Sequence, residues 1–228
     1  MIFSILVTLI LGGAISPAFA LTASANPASG TDNNTVGTVT WTSPGNILSS
    51  DNTYATAGVS NTNPNSHYVL AKDFGFLIPA GATIDGISVS IEKKASAAND
   101  VADFSLRLTK DGGTSVIGTD KADTVTAWPT TDTVSSYGNG SDLWGTTWSA
   151  SEINSSGFGV LFSAHRLSAN PTASIDHIAV TITYTPDTTA PTVSSVSSTT
   201  TNGSYSSGTI DVTVNFSETI LEIGRAHV

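Results

Sequence analysis

Apolar and polar residues alternate one by one along most of this chain, and that period of two constrains its fold more than any other feature. In "GATIDGISVSIEKKA", Ile87, Val89 and Ile91 share one parity while Ser88 and Ser90 take the other. The same alternation aligns Phe104, Leu106 and Leu108, then Phe158, Val160 and Phe162, then Ile178, Val180, Ile182 and Tyr184. Val39 and Trp41 in "TVGTVTWTS" are a shorter case. Successive side chains of a strand point to opposite sides of a sheet, so this pattern buries one face and wets the other. Turn signals separate the runs: "SPGN", "NTNPN", "IPAG", "KDGG", "YGNG" and "NSSG". An apolar period of about 3.6 residues is sustained nowhere. The stretch "SASEIN" at 149–154 has room for one helical turn, capped by Ser149 or Ser151.

Short strands joined by short polar turns pair antiparallel, so the expected fold class is all-β. The architecture expected over 26–185 is an antiparallel β-sandwich, jelly-roll-like because several loops are long and the strands number about eight. In "IPAGATIDGI", Pro79 and Gly81 turn the chain into a strand. The irregular segment 119–157 is too long for a hairpin loop and is expected to cross between sheets or fold over one face.

Charged residues make up only 11% of the chain, so the solvent faces carry hydroxyls and amides in place of ion pairs. With eight Lys+Arg and a formal net charge of −10, an electrostatic grip on phosphate backbones is excluded as a working function, and nucleic acid is not an expected partner. Residues 1–20, "MIFSILVTLILGGAISPAFA", form an uncharged apolar run ending in Ala18-Phe19-Ala20. It reads as a secretory signal peptide cleaved after Ala20, or after Ala25 in "ASA", although its start carries only the α-amino charge. An uncleaved anchor fits less well, because the run is short and broken by Gly12, Gly13 and Pro17. No later segment is apolar enough to span a membrane after signal cleavage. The chain has no cysteine, hence neither a disulfide framework nor a lipoprotein thiol. A packed β core without cysteine in an exported chain is bacterial or archaeal in style.

Pro186 and Pro191 bracket "DTTA", stiffening 186–192 and blocking ladder pairing, as a boundary between two sandwiches requires. Beyond it Val193, Val196, Ile210, Val212, Val214 and Phe216 start a second β unit over 193–221. The residues "DTTAPTV" and "NGSYSSGTIDVTVNFSE" resemble the opening of bacterial immunoglobulin-like repeats of large surface proteins and adhesins. A closed Ig-like sandwich needs about seven strands and about 100 residues, so the expectation is an incomplete repeat of two or three strands. Residues 41–184 as a whole resemble an uncharacterised sandwich domain of bacterial and phage surface or structural proteins. That likeness is carried by "SSDNTYATA", "FGFLIPAGATIDGISVSIE", "DLWGTTW", "FGVLF" and "IDHIAVTITYT", and it implies fold and setting with no activity attached. Residues 222–228, "EIGRAHV", back-translate as GAG ATC GGA AGA GCA CAC GTC, which resembles a sequencing-library adapter; the expectation is that they are an artefact.

Candidate sites are few. HExxH, CxxC, GxSxG and phosphate-binding glycine loops do not occur. The histidines are His67, His165, His177 and His227; Ser163, His165 and Asp176 can be imagined as a triad, but no spacing selects them, and no enzymatic activity is expected. Asp51, Asp100, Asp103, Asp120, Asp123 and Asp142 lie in loop-like text with the oxygen ligands that calcium takes, without any complete binding-loop pattern. By resemblance to Ig-like arrays, Asp187 at the junction is the candidate calcium ligand; a plain solvated linker is the favoured reading. Trp128, Tyr137, Trp144 and Trp148 concentrate in one segment and are the candidate ligand-binding residues, since ring planes stack on sugar faces. Packing in the core or at a corner is the favoured reading of each ring.

These readings converge on an exported, non-enzymatic structural or adhesive surface-protein segment, extracellular or at the cell surface, partnered by a surface glycan or another surface protein. The alternative is a carbohydrate-binding module of a secreted glycoside hydrolase. A phage tail or capsid decoration domain is a third, against which the signal peptide argues.

Overall fold

A computed structural model describes residues 19–201, 203 and 207–218. The expected signal peptide, apart from its last two residues, and the adapter-like tail lie outside the described residues. The chain divides into a compact unit Ala18–Asp187 and a second one formed, among described residues, from Thr188 onward; the division falls inside the proline-bracketed segment 186–192.

The first unit is a two-layer antiparallel sandwich. Its strands are β1 (Leu21–Ala25), β2 (Ser29–Asn33), β3 (Ala55–Gly58), β4 (Tyr68–Lys72), β5 (Thr83–Ala95), β6 (Val101–Thr109), β7 (Thr133–Asn139), β8 (Gly159–Arg166) and β9 (Thr172–Thr185). A 3-10 turn (Pro44–Ile47) and one helical turn, α1 (Ala150–Ile153), complete it. One sheet has the order β1-β9-β5-β7, with β3 also on β9; the other has the order β2-β4-β8-β6. Ile175 of β9 pairs with both Lys93 of β5 and Ala55 of β3, so β3 and β1 share the β9 edge that faces away from β5.

The pairings are nested. β3 pairs with β9, β4 with β8 and β5 with β7. The segment that follows β6 folds back along it through the Leu108–Ile117 bridge and the Lys121 N–H donating to Leu106 O at 3.0 Å. Four nested pairs are what a long antiparallel ribbon makes when it is rolled into two sheets, so the sandwich is a jelly roll.

The core lies between the sheets. Ile87, Val89 and Ile91 of β5 meet Leu106 and Leu108 of β6, Val160 and Phe162 of β8, and Ile178, Val180 and Ile182 of β9, all fully buried. On the outer face of the four-stranded sheet, Leu161, Tyr68 and Leu70 form a second small cluster under Val36. The expected turn at 149–154 is α1: Ser149 caps it, and Glu152 returns the bond to the Ser149 N–H, a complete capping box. Gly81, at φ +80°, ends the corner that leads into β5.

Four expectations need correction. The sandwich begins at Leu21 and not at 26, because β1 pairs residue by residue with Val180–Tyr184. Residues 35–43 form isolated bridges and no ladder strand: the Trp41 N–H donates to Asp32 Oδ1 at 2.8 Å, taking that donor out of sheet pairing. Trp41 is buried all the same, its Nε1 donating to His67 O at 2.8 Å. In β6 the register shifts between Asp103 and Ser105, so Phe104 leaves the core face shared by Leu106 and Leu108 and packs edge-on against His165. Finally, 119–157 contains a strand: β7 carries only Tyr137 inward, which leaves no apolar alternation to read.

In the second unit β10 (Val193–Ser197) pairs antiparallel with β11 (Thr213–Phe216). Ladder pairing starts at Thr213, later than the alternation from Ile210 suggests. Val193, Val196, Ile210, Val212 and Val214 are 42–63% exposed.

Candidate functional site

The four aromatic residues named as ligand-binding candidates sit inside the sandwich or at its corners, the favoured packing reading of each, and none is more than 9% exposed. Asp142 Oδ1 accepts the Trp144 N–H at 2.8 Å and holds Trp144 at φ 59°, which aims its ring inward. The Trp144 Nε1 donates to Ile87 O at 2.9 Å. Gly138, φ +68°, makes this possible: a Cβ there would lie 2.4 Å from Ile87 O and 2.8 Å from the indole Nε1. Trp148 stands edge-on to Phe158, with ring centroids 5.4 Å apart, and donates to Leu143 O at 3.2 Å. Trp128 stacks on Phe162 at 5.7 Å. An open platform of four rings is therefore not formed; the indoles are plugs with their N–H groups satisfied.

Trp128 and Tyr137 instead surround the most unusual polar group of the molecule. Lys93 and Asp103 face each other across the sandwich with Nζ–Oδ1 at 2.5 Å and side chains 5% and 1% exposed. The Lys93 ammonium also donates to the Tyr137 hydroxyl, which donates to Asp103 Oδ2 at 2.7 Å. Trp128 Nε1 donates to Asp103 Oδ1 at 2.7 Å, and the Asp123 N–H donates to Oδ2 at 3.1 Å. The rings of Trp128, Tyr137 and Phe162 lie 4.8–5.1 Å from Nζ. Burial pushes the Lys93 ammonium below its ordinary range, against the pull of the Asp103 charge. Burial, and then that same charge, pushes the Tyr137 hydroxyl well above its ordinary range. A recess of about 300 Å³ runs from this cluster past Ser135 to the exposed Asp123, Thr126 and Ser136.

This pair was half legible. Lys93 shares its parity with Ile87, Val89 and Ile91, so alternation alone sends it inward. Asp103 has the parity of Ser105, and only the bulge at Phe104 turns it into the core.

A second concavity, about 710 Å³, lies at the end of the sandwich where β5 starts. Ile78, Ala80, Ile84 and Leu143 line it together with Trp148, and Thr83, Thr147, Ser149 and Ser151 bring hydroxyls to it. Asn154 also lines it, but its amide is spent on both backbone groups of Ile78. Asp187 is exposed beside Gly81, whose Cβ would meet Asp187 Oδ2 at 3.1 Å. Among the described residues, no three His, Cys, Asp or Glu side chains converge to hold a metal ion.

The loop aspartates shape turns. Asp51 accepts the Thr53 N–H, Asp120 the Leu106 and Ala122 N–H groups, and Asp123 those of Val125 and Thr126. Asp100 accepts from the Ser168 hydroxyl. Ser163, His165 and Asp176 do not converge. Ser163 donates to Ser66 O, His165 Nδ1 to Asp103 O, and buried Asp176 accepts from the Asp51 and Asn52 N–H groups.

Comparison with protein-family models gives no match for this chain. Comparison with curated proteins gives none either.

Proposed function

We propose that this chain is an exported, non-enzymatic segment of a surface protein, in which the jelly roll is presented at the end of a chain of Ig-like units. The observation that carries the reading is the register of its first and last strands. Leu21 pairs with Tyr184 and Thr83 with Thr185, so the sandwich is entered and left at one end. The opposite end of the sandwich carries neither that entry nor that exit. That far end is made by the loops 59–67, 96–100 and 167–171, rich in Asn and Ser. Exposed Asn61, Asn63, Asn99 and Asn170 offer the amide chemistry that recognises sugar hydroxyls or another protein's backbone. Export rests on the signal-like run 1–20, and the low-charge surface suits an extracellular setting.

Labelling intact producing cells with a membrane-impermeant amine reagent tests this. The chain is expected in the labelled surface fraction or the medium; confinement to the cytosol would sink the proposal.

The carbohydrate-binding alternative is favoured by one feature, the Trp148 groove with its hydroxyl rim. A glycan array probed with the chain from Leu21 onward, beside a Thr147→Ala and Ser151→Ala double variant, tests it. Binding lost in the double variant, with an unchanged melting curve, supports the groove; binding unaffected by it moves the contact elsewhere.

A further inference from the structure

We propose that Lys93 and Asp103 condense in the folded protein to an amide, a covalent tie between the two sheets of the jelly roll. Nζ is seated against the carboxylate, 2.5 Å from Oδ1, in a site where both side chains are almost wholly buried. An intramolecular pair held in that way reacts with the effective concentration of a positioned neighbour, far above any bimolecular encounter. The rings of Trp128, Tyr137 and Phe162 wall the ammonium off from water at 4.8–5.1 Å, and burial lowers the basicity of Lys93 toward the neutral amine.

Each step has a group in place. The Tyr137 hydroxyl accepts from Nζ and donates to Oδ2, so it relays one proton from the ammonium to Oδ2 and leaves a neutral amine facing a carboxylic acid. The amine lone pair then forms the C–N bond at Cγ, and the carbonyl electron pair moves onto Oδ1. There the Trp128 Nε1–H, 2.7 Å away, meets the developing charge. A second proton follows the same relay from nitrogen to Oδ2. The C–Oδ2 bond breaks with its electron pair on oxygen, and Oδ2 leaves as water through the recess beside Ser135 and Asp123. The ammonium has lost two protons and the carboxylate one oxygen, so the products are one amide and one water, with no oxidant, metal or cofactor consumed. The amide oxygen keeps the Trp128 bond. The tie spans a separation of 10 residues and locks the end of β5 to the bulge of β6. A chain without cysteine gains in this way the cross-sheet covalent brace that a disulfide would otherwise supply.

The test is the intact mass of the full chain, purified folded and denatured only for measurement, against the mass calculated from its sequenced N-terminus. The expected result is a species lighter by one water, whose digest contains a branched peptide joining Lys93 to Asp103, with no cleavage after Lys93. The Lys93→Arg variant is expected to keep the full mass. After refolding, Tyr137→Phe is expected to form the lighter species about a hundredfold more slowly than the wild type; an equal rate would overturn the relay. Wild-type protein that melts cooperatively yet carries its full mass overturns the proposal, as does a branched peptide that maps elsewhere. The wild-type spectrum decides the matter even if a variant fails to fold.

Discussion

One methyl group at Gly138 is enough to test how the Trp144 plug is held. The backbone there is left-handed, and an added Cβ would press on Ile87 O and on the indole that donates to it. Neither neighbour is the free end of a flexible side chain, so relief requires moving β5 or expelling the ring. Gly138→Ala is expected to destabilise the sandwich by about 2–4 kcal/mol, read from the urea midpoint. Trp144→Phe keeps a ring but forfeits the N–H bond, and about 1–2 kcal/mol is expected there. Equal midpoints for wild type and both variants would mean that the ring is not locked as described. Sequence reading favoured packing for the four aromatic residues without deciding it, because a Trp in a turn-rich segment looks alike whether it stacks on a ligand or plugs a corner. What separates the two is the position of Ile87 O, which comes from another strand.

Among the elements, β1 and β6 show where local pattern stops being informative. β1, "LTASA", has little apolar content and directly follows the apolar run 1–20, yet it covers β9 from Val180 to Tyr184 and brings Ala23 and Ala25 against the core. A chain starting at Asn26 is therefore expected to be about 2 kcal/mol less stable than one starting at Leu21, as judged by thermal or urea unfolding. By the same argument, cleavage of the run 1–20 is expected to leave Leu21 as the N-terminus; N-terminal sequencing that found Asn26 would show that the sandwich does without β1. The α1 turn was legible, since a capping box is a contact between residues three apart, although the choice between Ser149 and Ser151 as its cap was left open. The β6 bulge was not: alternation ran straight through "DFSLRL", and only the pairing with β8 shows the extra residue that turns Phe104 out and Asp103 in.

For the whole molecule, the division at Asp187 has a direct thermodynamic consequence. A chain ending at Asp187 is expected to melt within about 2 °C of the longer one, because the jelly roll contains its own closed core. A markedly lower melting temperature would show that residues from Thr188 onward contribute to that core. Alternation, turn residues and charge content determined by themselves that this chain is an antiparallel β protein and that β5 and β9 bury the faces they do, and the paired prolines marked the segment in which the second unit begins. All of these are encoded in neighbouring residues, whose side chains alternate by backbone geometry alone. Only the tertiary structure decided the nested strand order, the burial of the four rings and the meeting of Lys93 with Asp103. Each of those depends on which distant strand lies alongside and in what register, and a one-residue shift in register exchanges the buried face for the solvated one.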